Sequence, residues 1–195
     1  MLQACLNGGR TRDFHPAVPF SADELAADAR AVVAAGAQQI HLHVRGDDGK
    51  ESLHPADVAR TLAAVRSAVP GVPIGLSTGW WIRPGGRARQ EHIRAWQALP
   101  DYVSINLVEE DSAEGVDLAL SRGIGGEAGI WSVADAAKFI AHPDARRCLR
   151  VLIEINEQDL AAAMAAWQGI DALLDGAGIG LPRLLHGSDA TGWNV

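Results

Sequence analysis

The segment His41-Leu42-His43 sets two imidazoles two residues apart. On a β-strand that spacing points both rings to one face. Two neutral imidazoles a few ångströms apart suit Zn2+ or another borderline divalent cation, and they equally suit a pair of core histidines. Arg45 continues the same face and opens into the turn Gly46-Asp47-Asp48-Gly49. Its guanidinium is suited to clamp a carboxylate or phosphate, or to pair with Asp47 or Asp48. Ser77-Thr78-Gly79 and Ser104-Ile105-Asn106 bring hydroxyls and an amide that fit a carbonyl or carboxylate oxygen. Helix capping is the alternative for such residues, and no GxSxG elbow surrounds Ser77.

Glu127 stands among glycines in Gly125-Gly126-Glu127-Ala128-Gly129. Glycines permit close approach, and an inward carboxylate is costly unless it is paired or functional. Glu154 is suited to be a base or a third metal ligand, or simply a first-turn charge of the next helix. His186-Gly187 is placed to touch substrate, and Trp80, Trp81 and Trp131 to wall a pocket mouth. His15, His54 and His142 each precede Pro and read as turn residues, with His15 in the first loop of the active face.

Strands must carry these groups. The apolar and alternating segments Met1–Asn7, Gln39–Val44, Val72–Ser77, Asp101–Leu107, Gly123–Ile130, Arg150–Ile155 and Arg183–His186 read as seven strands. Helical patterns lie between them: from the Ser21-Ala-Asp-Glu24 capping box to Ala35, then Pro55–Val69, Arg87–Ala98, Asp111–Ser121, Ser132–Ala141 and Glu157–Asp175. Alternation throughout predicts βαβ units and a parallel sheet. Asn7, His43, Ser77, Asn106, Glu127, Glu154 and His186 gather at predicted strand C-termini, where α/β enzymes carry their sites. Asn7-Gly8-Gly9-Arg10 is not GxGxxG, which favours a (β/α)8 TIM-type barrel over a doubly wound sheet. A whole barrel takes about 250 residues. The expectation is therefore one domain, 1–195, truncated after about the seventh strand and lacking the last helix-strand-helix.

Composition narrows the classes. Seventeen Lys and Arg against 24 Asp and Glu leave a net charge of −7 without a basic run, so nucleic acid is not an expected partner. Cys5 and Cys148 fit neither CxxC nor a disulfide framework, and they read as reduced core residues of a cytoplasmic protein. With no leader pattern and no apolar run of membrane length, no membrane association is expected.

Several motifs in order resemble the β-keto acid cleavage enzyme family. They are Leu6-Asn7-Gly8-Gly9-Arg10, His15-Pro16-Ala17-Val18-Pro19, Ile40-His41-Leu42-His43-Val44-Arg45 and Gly75-Leu76-Ser77-Thr78-Gly79. Pro100 to Leu107, Glu127-Ala128-Gly129-Ile130-Trp131 and Leu184-Leu185-His186-Gly187 complete the series. The resemblance implies a barrel, often homo-oligomeric, holding one divalent metal, usually zinc. It implies retro-Claisen cleavage of a β-keto acid with acetyl-CoA, giving acetoacetate and an acyl-CoA. His41 and His43 match its metal ligands, and Ser77, Ser104 and Asn106 match positions that hold the keto acid. Glu127 matches an acidic active-site position; with Ser77 it is the expected catalytic group, and Asn7, Arg45, Thr78 and His186 are expected to contact substrate. The family's third ligand, a Glu in a late Gly-Leu-Glu-Asp-type motif, has no counterpart here, leaving Glu154, His186 or another chain as substitute. Gly8-Gly9 replaces the acidic residue that would suit an amino-bearing keto acid. Two other readings compete: a metal-dependent hydrolase barrel, and a degenerate barrel without catalysis.

Overall fold

The computed structural model describes residues 1–192. They form two compact units, one of Met1–Val103 and one beginning at Ser104. In the first, β1 (Gln3–Cys5), β2 (Gln39–Leu42) and β3 (Ile74–Ser77) pair in parallel, with His41 in register with Cys5 on one side and Gly75 on the other. Cys5, expected in the core, is exposed at the end of β1, whereas Cys148 is buried. Helices α1 (Ala22–Ala34), α2 (Pro55–Ala68) and α3 (Arg89–Ala95) follow the three strands in turn. Ser21 caps α1 with a complete capping box, and α1 buries Leu25, Ala26 and Ala29. His54 caps α2, Pro55 takes its first turn, and Val58, Leu62 and Val65 form its buried stripe.

Both β1 and β2 stop short of their expected C-terminal ends, for one reason. The ladder continues through Leu6 N–H to the His41 carbonyl at 3.0 Å. Beyond it the Asn7 side chain replaces backbone pairing, accepting from His43 N–H at 2.9 Å and donating to the His43 carbonyl at 2.8 Å. Helix α3 ends before Ala98 because Trp96 turns extended, buries its ring fully and donates Nε1–H to the Leu53 carbonyl at 2.9 Å.

Strand β4 (Tyr102–Asn106) runs through the boundary between the units. Tyr102 belongs to the first: its hydroxyl donates to the Ile40 carbonyl and accepts from Gln3 Nε2, both at 2.7 Å. A Cβ on Gly75 would lie 2.0 Å from that ring, so only glycine lets it rest on β3. In the second unit β5 (Gly125–Ile130), β6 (Arg150–Ile155) and β7 (Arg183–Gly187) pair in parallel. Helices α4 (Ser112–Ser121), α5 (Val133–Ile140) and α6 (Leu160–Gly176) connect the strands, with Ser132 and Asp159 as side-chain caps of the last two.

Strand order is chain order, β1 to β7. A doubly wound sheet reverses its order at a switch point, whereas sequential parallel strands with a helix after each follow the (β/α)8 barrel plan. Seven strands of that plan lie in the described residues.

Candidate functional site

Strand β2 carries His41, and His43 follows one residue past its end. The two ring centroids are 5.4 Å apart at an interplanar angle of 76°. His43 is buried, its main chain clasped by Asn7. Its Nδ1 meets Glu51 Oε1 in a short contact, and Trp81 Nε1–H donates to Glu51 Oε2 at 3.1 Å. Sequence reasoning missed Glu51. A turn returns the chain, with Gly49 N–H on the Gly46 carbonyl and Gly46 N–H on the Lys50 carbonyl, both at 2.9 Å, so that Arg45 bridges antiparallel to Glu51. The aspartate-glycine pair in this turn was the available signal for such a return. Trp81 lies on Gly79, where a Cβ would approach its ring to 2.6 Å.

The donor chemistry of His41 and His43 fits two positions around a borderline cation. Among the described residues no group of three or more His, Cys, Asp or Glu could hold a metal ion. Arg45 is buried, and it does not pair with the turn aspartates. Asp47 pairs with Arg60 at 3.0 Å and Asp48 with Arg83 at 2.8 Å. The Arg45 guanidinium donates instead to the carbonyls of Gly8, Arg10 and Gly49 at 3.2, 2.7 and 3.0 Å, and stands over the Phe20 ring. It braces the first βα loop against the turn. Ser77 and Thr78 are buried at the end of β3, and Arg89 Nε–H donates to the Thr78 carbonyl at 2.8 Å.

The second unit gathers the remaining acids. Glu127 is the third of six residues in β5, in register with Arg150, the first of β6. It is fully buried; Oε1 accepts from Ser104 Oγ at 2.6 Å and Oε2 from Arg150 Nε at 2.5 Å. Glu127 thus sits below the strand end where the sequence reading put it, with both oxygens engaged. Asn106 ends β4 and donates Nδ2–H to Glu109 Oε1 at 3.0 Å. A Cβ at Gly129 would lie 2.9 Å from Asn106 Oδ1 and 3.2 Å from Glu154 Oε1, so glycine is what brings these two oxygens over β5.

Burial pushes the Glu154 carboxyl up to about 7; the nearby Trp131 indole opposes that rise, and the charges of Glu127 and Glu109 add to it. Among the described residues the Trp131 Nε1–H meets no acceptor within hydrogen-bond geometry. His186 is in register with Glu154 on β7 and is exposed. The three His-Pro histidines bond locally: His15, His54 and His142 accept at Nδ1 from the N–H of Ala17, Ala56 and Asp144, and for His54 that bond is the cap of α2.

Comparison with known proteins agrees with both fold and motifs. The family model of beta-keto acid cleavage enzyme matches residues 1–168. A 3-keto-5-aminohexanoate cleavage enzyme of Fusobacterium nucleatum is 41% identical over 96 residues, 49% of this chain and 34% of that protein. The 3-oxoadipate:acetyl-CoA acetyltransferase of Cupriavidus necator is 43% identical over 70 residues, 36% of this chain and 24% of that protein. The matched stretches thus span about a third or less of these curated relatives. Among solved structures, 3-dehydroquinate dehydratase from Geobacillus kaustophilus superposes with a TM-score of 0.70 at 11% identity, covering 98% of this chain and 74% of that one. That likeness speaks for the fold alone.

Proposed function

The chain belongs to the beta-keto acid cleavage enzyme family, and on that premise we propose that it cleaves a β-keto acid with acetyl-CoA to give acetoacetate and a new acyl-CoA. In this reaction the bond between C2 and C3 of the keto acid breaks. C2, carrying the carboxylate, joins the acetyl carbonyl carbon as the acetyl C–S bond breaks, and the CoA thiolate so freed takes the released acyl group at its C3 carbonyl carbon. Atoms and electrons balance without an external oxidant or reductant.

The observation that carries the reading is the His41–His43 pair, with His43 held at its main chain and its ring, inside a chain that matches the family. His41 and His43 would hold a divalent cation, zinc by donor type. Such a cation supplies Lewis-acid polarisation of a ketone oxygen, a contribution of several kcal/mol to charge stabilisation.

The remaining roles belong to the chain's own groups. Ser77 and Thr78 bind keto-acid oxygens through their hydroxyls at the end of β3. Asn106 takes the same role on β4 through its amide. Ser104 gives its hydroxyl proton to Glu127, which fixes it there rather than meeting substrate, and so lines the pocket without donating to a keto-acid oxygen. Asn7 holds His43, and Arg45 holds the first loop. His186 lies at the substrate edge. Glu154, poised near neutrality, is the group suited to carry a proton. A cytoplasmic homo-oligomer completes the reading; no described helix is long and apolar enough to cross a membrane.

The test is incubation of zinc-supplemented protein with acetyl-CoA and a panel of β-keto acids, 3-oxoadipate and 3-keto-5-aminohexanoate included. Acetoacetate and the matching acyl-CoA are followed by mass spectrometry. Both products are expected from at least one keto acid and are expected to vanish in His41→Ala. No acetoacetate from any of them, in protein shown to be folded and zinc-loaded, would overturn the proposal.

A further inference from the structure

We infer that Glu51 is a positioning residue: it holds the His43 ring in the form protonated at Nδ1 and so leaves Nε2 as the cation-binding nitrogen, with Trp81 holding Glu51 in turn. The cation half of this inference rests on the function proposed above; the ring half does not.

Donor counting carries the argument. A neutral imidazole has one N–H, and an ionised carboxylate only accepts, so the ring nitrogen that faces Glu51 must be the donor. That nitrogen is Nδ1. The other carboxylate oxygen accepts from the Trp81 indole at 3.1 Å, and an indole N–H can only donate. Rotating the carboxylate would lose one bond or both. Trp81 is itself seated on Gly79, where a side chain would collide with the ring at 2.6 Å. Asn7 fixes the His43 main chain at N–H and carbonyl. His43 is therefore held at three points, and the His43 and Glu51 side chains are only 11% and 15% exposed. A carboxylate behind a ligating histidine fixes its tautomer and raises its basicity, and losing it typically costs about 10–100-fold in metal affinity.

Two measurements on the whole protein test this. Long-range 1H–15N NMR of metal-free protein above the histidine range reads the tautomer, and Co2+ titration read by absorption gives the affinity. Wild type is expected to show His43 with Nδ1–H, and Glu51→Ala to lose that preference and bind Co2+ about 10–100-fold more weakly. Glu51→Gln and Trp81→Phe are expected to show smaller losses in the same direction. Glu51→Gln carries the test if the alanine variant does not fold by circular dichroism. A wild-type ring protonated at Nε2, or variants with unchanged tautomer and affinity, would overturn the inference. If wild type and His41→Ala bind Co2+ alike, the cation reading fails, and the NMR result still decides whether Glu51 sets the ring.

Discussion

Glu51 in the first unit and Glu127 in the second both have two engaged oxygens, yet their surroundings differ. Glu51 touches a histidine ring and an indole, neither carrying a fixed charge, and it keeps some exposure. Glu127 touches a guanidinium and a hydroxyl and has no exposure at all. The first arrangement aims a ring; the second neutralises a charge inside the sheet. Buried ion pairs are costly to break because each partner alone is an uncompensated charge. Removing a carboxylate bonded to neutral donors leaves no uncompensated charge behind and loses only the bonds it makes.

The largest expected effect follows from that contrast. Glu127→Ala leaves Arg150 charged and buried, and should lower stability by about 3–5 kcal/mol in chemical denaturation. Glu51→Ala should lose no more than about 1–2 kcal/mol. A double variant, Glu127→Gln with Arg150→Met, should recover much of the first loss because it removes both charges. Equal losses for Glu51→Ala and Glu127→Ala would break the comparison and make Glu51 a stability residue.

One strand along, Glu154 shows what burial does without a cation. Its carboxyl rises from 4.5 to about 7, burial being the main cause. A raised folded-state value means stability is fully present below 4.5 and is lost as pH rises through about 7. The loss has an upper bound of about 3 kcal/mol, at 1.36 kcal/mol per unit. Glu154→Gln should flatten the fall across that window in denaturation curves taken from pH 4 to 8. A wild-type profile that is already flat there would show Glu154 ionised and solvated.

Two glycines sharpen the same contrast at smaller cost. Gly75→Ala drives a methyl into the Tyr102 ring, which is pinned by its own hydroxyl, and should cost about 1–3 kcal/mol of stability. Gly129→Ala meets the side-chain oxygens of Asn106 and Glu154 most closely, with the Asn106 Cα at an ordinary 3.4 Å. It should cost less stability and instead displace Glu154, seen as a shifted carboxyl titration by 13C NMR. Comparable stability losses at the two positions would mean that the Asn106–Glu154 approach is as rigid as the Tyr102 packing.

Much of this fold was readable because its signals are local. The capping box at Ser21 marks the start of α1, and apolar runs mark strands such as Ile74–Ser77. The His41-Leu42-His43 pair stood out because strand spacing alone groups its rings. What escaped depended on register or on a return of the chain. Arg150 faces Glu127 only because β5 and β6 pair at that offset, and no residue pattern announces the offset. Glu51 comes to His43 through a hairpin-like return that the helix-and-strand alternation passes over. Arg45 suggests an ion pair with Asp47 or Asp48 from sequence proximity, whereas the carbonyls it serves, those of Gly8, Arg10 and Gly49, become acceptors only once the loops fold.

The smallest expected effect isolates the opposite kind of carboxylate. Glu24 is exposed at the start of α1, where Ser21 and Phe20 N–H groups donate to it at 2.9 Å and Arg12 pairs with it at 2.6 Å. The Ser21 and Phe20 backbone bonds lower its carboxyl from 4.5 to about 2. A depressed value means its contribution is present above 4.5 and is lost as pH falls through about 2, the reverse of Glu154. Ser21→Ala removes the reciprocal half of the capping box and should cost about 1 kcal/mol at neutral pH. The variant keeps the Ser21 and Phe20 N–H donors, so much of the acid-side slope should survive in denaturation curves from pH 2 to 5. If that slope disappears with the hydroxyl, the serine side chain and not the backbone holds Glu24 ionised. The helix start would then resemble Glu127, which does depend on a side-chain partner, and the division between carboxylates held by backbone and by side chain would fall.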